Sequence, residues 1–382
     1  MIYIIIILLI AAMLYIAGFI HRNIHIWFFQ YIAQLFSRKG NNNKIQHVLF
    51  CFVDHYEPLL GKASFEKGME RVKYWQKEYP KIAMKFKDSD GCYPRHTFFY
   101  PEEEYHKEYL DVVSEFCQQD IGEIEIHLHH DNDTENGFKD KINSFKKILR
   151  ESHGALPDYD GDAYFAFIHG NWALDNSRKD GKWCGLNNEI TLLRDLNCYA
   201  DFTLPSAPSD TQTKTINSIY YATDDPNKPK SHDKGELAEY GLTKKGDLMI
   251  IQGPLTLNWK NRSKGVWPRI ESGDVTPSPV PIEQRVRLWV KAGVHVKGKP
   301  DWIIVKVHTH GADEINSEFL FKDNGFEKIW STLDREYNDN VNYKLHYVST
   351  RELYNIIKAI ESGCDGEPGD YRNYHFQKPA FK

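Results

Sequence analysis

The sequence predicts an α/β fold, a (β/α) barrel of about seven strands preceded by a transmembrane helix. Three observations carry that prediction. The chain starts with an uncharged apolar stretch, continues as a long alternation of strand-like and helix-like segments, and gathers histidines and carboxylates where the strand-like segments end.

The first twenty residues, "MIYIIIILLIAAMLYIAGFI", contain no charged side chain. About 20 helical residues at about 1.5 Å rise span the hydrocarbon layer of roughly 30 Å. No basic segment precedes this run and no small-x-small cleavage site follows it, so residues 1–21 read as an uncleaved, single-pass membrane anchor rather than a signal peptide. The next stretch, "HRNIHIWFFQYIAQLF", mixes aromatic, apolar and basic residues as a segment at the headgroup boundary does. A continuing anchor helix is the alternative. With the "SRKGNNNK" linker it makes up residues 22–44. Arg22, Arg38, Lys39 and Lys44 all follow the apolar run, and the positive-inside rule then keeps the body in the cytoplasm. The six cysteines, Cys51, Cys92, Cys117, Cys184, Cys198 and Cys364, show no C-x-x-C spacing and read as buried free thiols. A net charge of −5 with interspersed signs gives no basic footprint for nucleic acid.

Residues 45–382 suit one large barrel. "HVLFCFVDHYEP" is a short apolar run that empties into a polar turn at Pro58, the pattern of a buried strand. "SFEKGMERVKYWQKEYPKIAMKF" has helical spacing. "RHTFFYPEEEY" is a second strand stopped by Pro101, and "EYLDVVSEFCQQDIG" a helix closed by Gly122. "EIEIHLHHD" is the third strand. "YFAFIHG", "CYADFTLP", "GDLMIIQGP", "DWIIVKVHTHG" and "NYKLHYVS" continue the strands. "GLNNEITLLRDLN", "IEQRVRLWVKAG" and "STRELYNIIKAI" supply helices between and after them, the last with Ser349 and Glu352 at capping-box spacing. Repeated strand-helix units imply a mainly parallel sheet. Residues from about 222 to 300 are polar and rich in Pro and Gly, and read as long loops around one strand that shape a substrate cleft.

In a barrel of this kind, reactive groups sit where the strands end, because the loops there converge on one mouth. The strand ends supply Asp54, His55 and Glu57; His127, His129, His130 and Asp131; His169 and Trp172; and His308 and His310. Imidazoles and carboxylates in this density suit zinc or a similar divalent ion. Alternate strand residues share a face, so His127 and His129 point the same way, about 7 Å apart along the strand. An exposed histidine cluster without a ligand is the competing reading. Asp54, directly after an apolar strand, suits a general base or a metal ligand, against a turn or capping aspartate. Of His308 and His310, one suits a general acid, and either is equally suited to a structural role. His169 and Trp172 would offer a donor and an apolar platform for a sugar ring, against a core tryptophan.

In order, these segments resemble the polysaccharide deacetylase family, carbohydrate esterase family 4-like. "VLFCFVDHYEP" resembles its first strand, "RHTFFYPEEEY" its T-F-F strand, "DIGEIEIHLHHD" its G-H-E-I-x-x-H strand, and "IIVKVHTHG" its closing strand. "FIHGNWALDNS" and the following "LLRDLNCYADFTLP" occupy the place of the R-x-P-x-G strand and its successors. The resemblance covers roughly residues 45 to 355. It implies a distorted barrel of seven strands holding one divalent metal, most commonly zinc, and a metal-bound water that attacks an N-acetyl carbonyl. By the same resemblance Asp54 is the base, the closing His308 or His310 protonates the leaving amine, and the metal ligands come from His55, His127, His129, His130 and Asp131. Glu57, His169 and Trp172 are left to face substrate. The sequence departs from the family pattern at three places: the second aspartate has become His55 or moved to Glu57, Asp131 stands at the second metal histidine with His129 or His130 as substitutes, and His169 stands for the arginine that orients the base.

The expectation is therefore a membrane-anchored, metal-dependent hydrolase that N-deacetylates an amino sugar of a cell-surface polysaccharide or its lipid-linked precursor. The rival expectations are a glycoside hydrolase on a related barrel, which needs two carboxylates such as Asp54 and Glu57 flanking the bond, and a catalytically silent carbohydrate-binding barrel.

Overall fold

The computed structural model describes residues 2–37 and 44–382. Arg38, Lys39 and most of the "SRKGNNNK" linker lie outside the described residues. The chain begins with helices α1 (Ile2–His21) and α2 (Ile24–Ser37). Strand β1 (Gln46–His55) follows, then α3 (Phe65–Ala83), β2 (His96–Pro101), α4 (Lys107–Gln118), β3 (Gly122–Leu128) and α5 (Glu135–His153). A small ribbon, β4 (Asp158–Tyr159) and β5 (Asp162–Ala163), precedes β6 (Phe165–His169), α6 (Glu189–Asp195), β7 (Cys198–Asp201), β8 (Ile219–Ala222), β9 (Glu236–Leu237) and β10 (Leu248–Ile251). Then come β11 (Thr256–Ser263), β12 (Trp267–Glu271), α7 (Ile282–Ala292), β13 (Trp302–Thr309), α8 (Glu314–Phe321), α9 (Gly325–Tyr337), β14 (Tyr343–Val348) and α10 (Thr350–Glu361).

Ten strands form one mixed, mainly parallel sheet in the order β13-β1-β2-β3-β6-β7-β10-β8-β9, with β14 also on β1. β1 is central, and from Val48 onward its residues are buried on both faces, which is why it reads as an unbroken apolar run. β13 runs parallel along one edge, while β14 occupies the first half of the other and β2 the second half. Isolated bridges from Val294 to Ile304, His295 to Ser218 and Lys297 to Glu239 link β13 to the far end of the sheet order.

Side-chain alternation divides the interior in two. Phe50 and Phe52 of β1, Ile124, Ile126 and Leu128 of β3, and Phe165 and Phe167 of β6 face a layer filled by α3, α4, α5 and α9. Cys51, Val53, Phe99, Ala166, Ile168 and Ile304 face a second layer closed by Leu353, Ile356, Ile357 and Ile360 of α10. On that second face β3 carries Glu123, Glu125 and His127 in succession. Glu123 is paired with the fully buried Arg351, 2.8 Å away, and Glu125 accepts hydrogen bonds from Ala166 N and Tyr199 Oη. The capping box at Ser349 and Glu352 starts α10 as expected.

Two segments depart from their sequence pattern. Residues 256–271, expected as loop, form the β11–β12 hairpin, because Lys264 and Gly265 both adopt positive φ and turn the chain. Residues 22–37 do not merely continue α1: the chain breaks at Asn23, φ 52°, and α2 packs Ile24, Trp27 and Tyr31 against Ile216, Leu255 and Leu257 of the body. α1 is apolar over Tyr3–His21 and long enough to cross a bilayer, and Tyr15 stacks on Trp267 of the hairpin with centroids 4.4 Å apart.

Candidate metal centre

The β1–α3 loop carries Glu57 out of the sheet, and its carboxylate is the point on which three imidazoles converge. His127 Nε2 lies 3.4 Å from Glu57 Oε1, His129 Nε2 lies 3.1 Å from the same oxygen, and His310 Nδ1 lies 2.9 Å from Oε2. Donor atoms of Glu57, His127 and His129 all fall within 4.8 Å of one another, a set that could hold a metal ion.

The tautomers are arranged for ligation. His127 Nδ1 donates to the carbonyl of Ile168 at 2.8 Å, so its Nε2 carries the lone pair, and that nitrogen has no hydrogen-bond partner. His129 Nδ1 is 2.5 Å from Glu103 Oε1, the carboxylate–histidine arrangement that orients a metal ligand. Close packing completes the geometry: Gly170 is backed by the His129 ring, and no side chain fits there.

The electrostatics follow. Burial alone would raise the Glu57 carboxyl, but the imidazoles of His127, His129 and His310 gathered around it hold it far below the usual carboxylate range. Burial lowers His129, yet Glu103 and Glu57 pull it up to about 10. Burial likewise opposes charge on His310, which Glu57 nevertheless raises. His55 and His308 are held neutral, by burial first and then by neighbouring cationic groups.

The remaining sequence-derived candidates fall into place around this point. His55 packs its ring on His127 and His310, with centroids 4.9 and 4.6 Å away, beside the converging donors. His308 is buried one layer below His310, and its Nδ1 has no partner. Asp54 is not brought into the cluster. It faces the opposite side of β1 from His55, where it accepts from His96 Nε2 at 2.8 Å and from Gly311 N at 2.6 Å, and so fixes the turn that presents His310. Asp131 is exposed and accepts from Trp183 N at 2.6 Å, which holds a loop. His130 and His169 turn to the α5 side of the sheet, toward Glu189 and away from Glu57. Trp172 is half-buried, with positive φ.

Glu103, Glu189 and Cys184 carry weight that the sequence reading passed over. Glu103 lies in the acidic "PEEE" directly after β2, a signal that was available. Cys184 and Glu189 offered only an isolated thiol and a helix-start acid.

A cavity of about 340 Å³ lies beside β13 and is lined in part by Arg22, Arg269, Asp274, Thr276 and Arg285. Asp274 bridges to His308 through the backbone, and Val275 N donates to His308 O at 2.7 Å, so the wall of this cavity is joined to the strand that bears His308 and His310. Arg22, at the break between α1 and α2, links the same cavity to the apolar helix.

No family model matches the chain, and no curated protein matches it. Among solved structures, a 4-alpha-glucanotransferase from Thermococcus litoralis is similar over 79% of this chain and 39% of its own, with 13% identity and a TM-score of 0.40. This chain thus spans well under half of that protein's length, and a likeness so slight carries no argument about fold or activity. The molecule stands as an α/β protein with a large parallel sheet and buried groups of histidine, glutamate and cysteine that could bind metal.

Proposed function

We propose that the chain is a membrane-anchored, zinc-dependent hydrolase that removes the N-acetyl group from an amino sugar of a surface polysaccharide or its lipid-linked precursor. The observation that carries this reading is the convergence of His127, His129 and His310 on the buried carboxylate of Glu57. The two nitrogen donors of His127 and His129 with the oxygen of Glu57 are a zinc set of three protein ligands that leaves a fourth position open, and His310 stands beside it. The motif order that resembles the polysaccharide deacetylases supports the substrate class, and the bridges that link the ends of the sheet order support a distorted barrel.

Glu57, His127 and His129 would hold the ion. When bound, it supplies Lewis-acid polarisation of the amide carbonyl and a water of lowered pKa. The protein's own groups do the rest. Glu103 fixes the ring of His129, and Asp54 fixes the Gly311 turn behind His310. Of the two closing histidines, His310 is the one with solvent access, its side chain 31% exposed, and it is placed to hand a proton to the leaving amine. Overall the carbonyl carbon gains the oxygen of water, the C–N bond breaks, and acetate and a protonated amine leave. The cavity that joins Arg22 to the β13 wall supports a substrate presented near the membrane, and the basic residues after α1 favour a cytoplasmic body.

The test is acetate release from N-acetylated oligosaccharides by the full chain in detergent. Glu57→Gln and His127→Ala should each lose at least about 10²-fold. Release of reducing ends without acetate would replace this reading with glycoside hydrolysis, and binding without turnover would leave a silent carbohydrate-binding protein.

A further inference from the structure

The histidine run at the end of β3 is split between two places. His127 and His129 go to Glu57, whereas His130 turns to the α5 face and meets His169, Cys184 and Glu189. One donor atom from each of these four lies within 4.8 Å of the others, and all four residues are buried. His130 Nε2 is 3.1 Å from Glu189 Oε1, His169 Nε2 is 3.5 Å from the same atom, and Cys184 Sγ is 3.4 Å from Glu189 Oε2. Ligand atoms around a tetrahedral zinc, at bonds of about 2.0–2.3 Å, stand about 3.3–3.7 Å apart.

We infer that His130, His169, Cys184 and Glu189 form a second, structural zinc site, distinct from the Glu57 cluster. The hydrogen bonds around the four side chains fit ligands better than an apolar core. His169 Nδ1 donates to Gly170 O at 2.6 Å, so Nε2 is the lone-pair nitrogen, and it is buried without a hydrogen-bond partner. His130 Nδ1 faces Asp133 Oδ2 at 3.3 Å, a carboxylate behind an imidazole as in many zinc sites. Cys184 Sγ accepts from Asn176 N at 3.3 Å and Leu186 N at 3.4 Å, two backbone donors directed at a sulfur that a thiolate would use. His130 Nδ1 and His169 Nε2, buried without hydrogen-bond partners beside Phe138 and Phe167, would otherwise be costly.

Two imidazoles, a thiolate and a carboxylate select zinc over magnesium or calcium, and four protein ligands in a closed, buried setting make the site structural. Its mechanical role is visible in the chain between its ligands. Residues 170–188 hold positive φ at Asn171, Trp172, Asp175, Asn176 and Trp183, backbone that must be held in place from outside each residue. A metal joining the ends of β3 and β6 to the start of α6 pins that loop, and with it Gly170 against His129.

This inference does not depend on the hydrolase reading. The experiment is metal analysis and the optical spectrum of the full chain in detergent, loaded with zinc or with cobalt(II). The wild-type protein should bind one equivalent at this site, and a second where Glu57, His127 and His129 also hold metal, and the cobalt form should show a thiolate-to-cobalt charge-transfer band. His127→Ala should keep the band. Cys184→Ala should lose the band, and His169→Gln should weaken it and lower the thermal midpoint. A wild-type cobalt protein without the band, or with a band that survives Cys184→Ala, would overturn the assignment, whether or not acetate is released.

Discussion

A β-carbon at Gly170 would fall 2.2 Å from His129 Cδ2 and 2.6 Å from its Cγ, so alanine there must push the ring off Glu57. Gly170→Ala should therefore reduce both metal affinity and acetate release by about 10–100-fold, as outer-shell changes do, while the circular dichroism spectrum stays that of the wild type. Unchanged affinity would mean that His129 is not a ligand. At this scale the sequence was legible where strand periodicity governs. The shared face of His127 and His129 follows from their spacing of two, and the same rule, carried one residue further, sends His130 to the other side. It was not legible where the chain leaves the strand. Glu57 and His310 meet across a turn held by Asp54 on Gly311 N and by Trp75 and Ser317 on Gly311 O, and neither spacing nor residue type announces those contacts. His169 looked suited to a sugar ring because it ends a strand, but its position on β6 turns it inward to Glu189.

Elements were most readable where both faces are buried or where a cap marks the start. β1 and β13 are near-continuous apolar runs, β3 alternates isoleucines with glutamates, and α10 opens on the Ser349–Glu352 box. The β11–β12 hairpin was hidden, because only its base, Thr256–Asn258, is buried, while Trp259–Ser263 run mostly polar along a ribbon that leaves the core and the turn begins at Lys264 before Gly265. α10 is tied to β3 by the pair of Arg351 and Glu123, both buried, with Arg351 also donating to the carbonyls of Arg372 and Phe376. Arg351→Ala leaves a carboxylate buried without a partner. It should destabilise the protein by about 3–5 kcal/mol, read as a lowered midpoint in urea. A change under about 1 kcal/mol would show the exposed-pair behaviour that burial argues against.

Over the whole molecule, α1 touches the body through Tyr15 on Trp267, and α2 is fastened to it, with Gln34 donating to Ile216 O at 2.7 Å and accepting from Asn217 at 2.9 Å. The Glu57 cluster thus lies in a body fastened to the end of the apolar helix. With the body on the cytoplasmic side, the partly exposed Cys364 should resist a membrane-impermeant thiol reagent in intact cells and react after lysis. Labelling in intact cells would place the body outside. The central claim, a metal held by Glu57, His127 and His129, is tested most directly by anomalous scattering from crystals of the full chain, recorded on both sides of the zinc edge. The account predicts a zinc peak about 2.0–2.2 Å from Glu57 Oε1, His127 Nε2 and His129 Nε2. Crystals grown with zinc that show no anomalous density among those three atoms would contradict it.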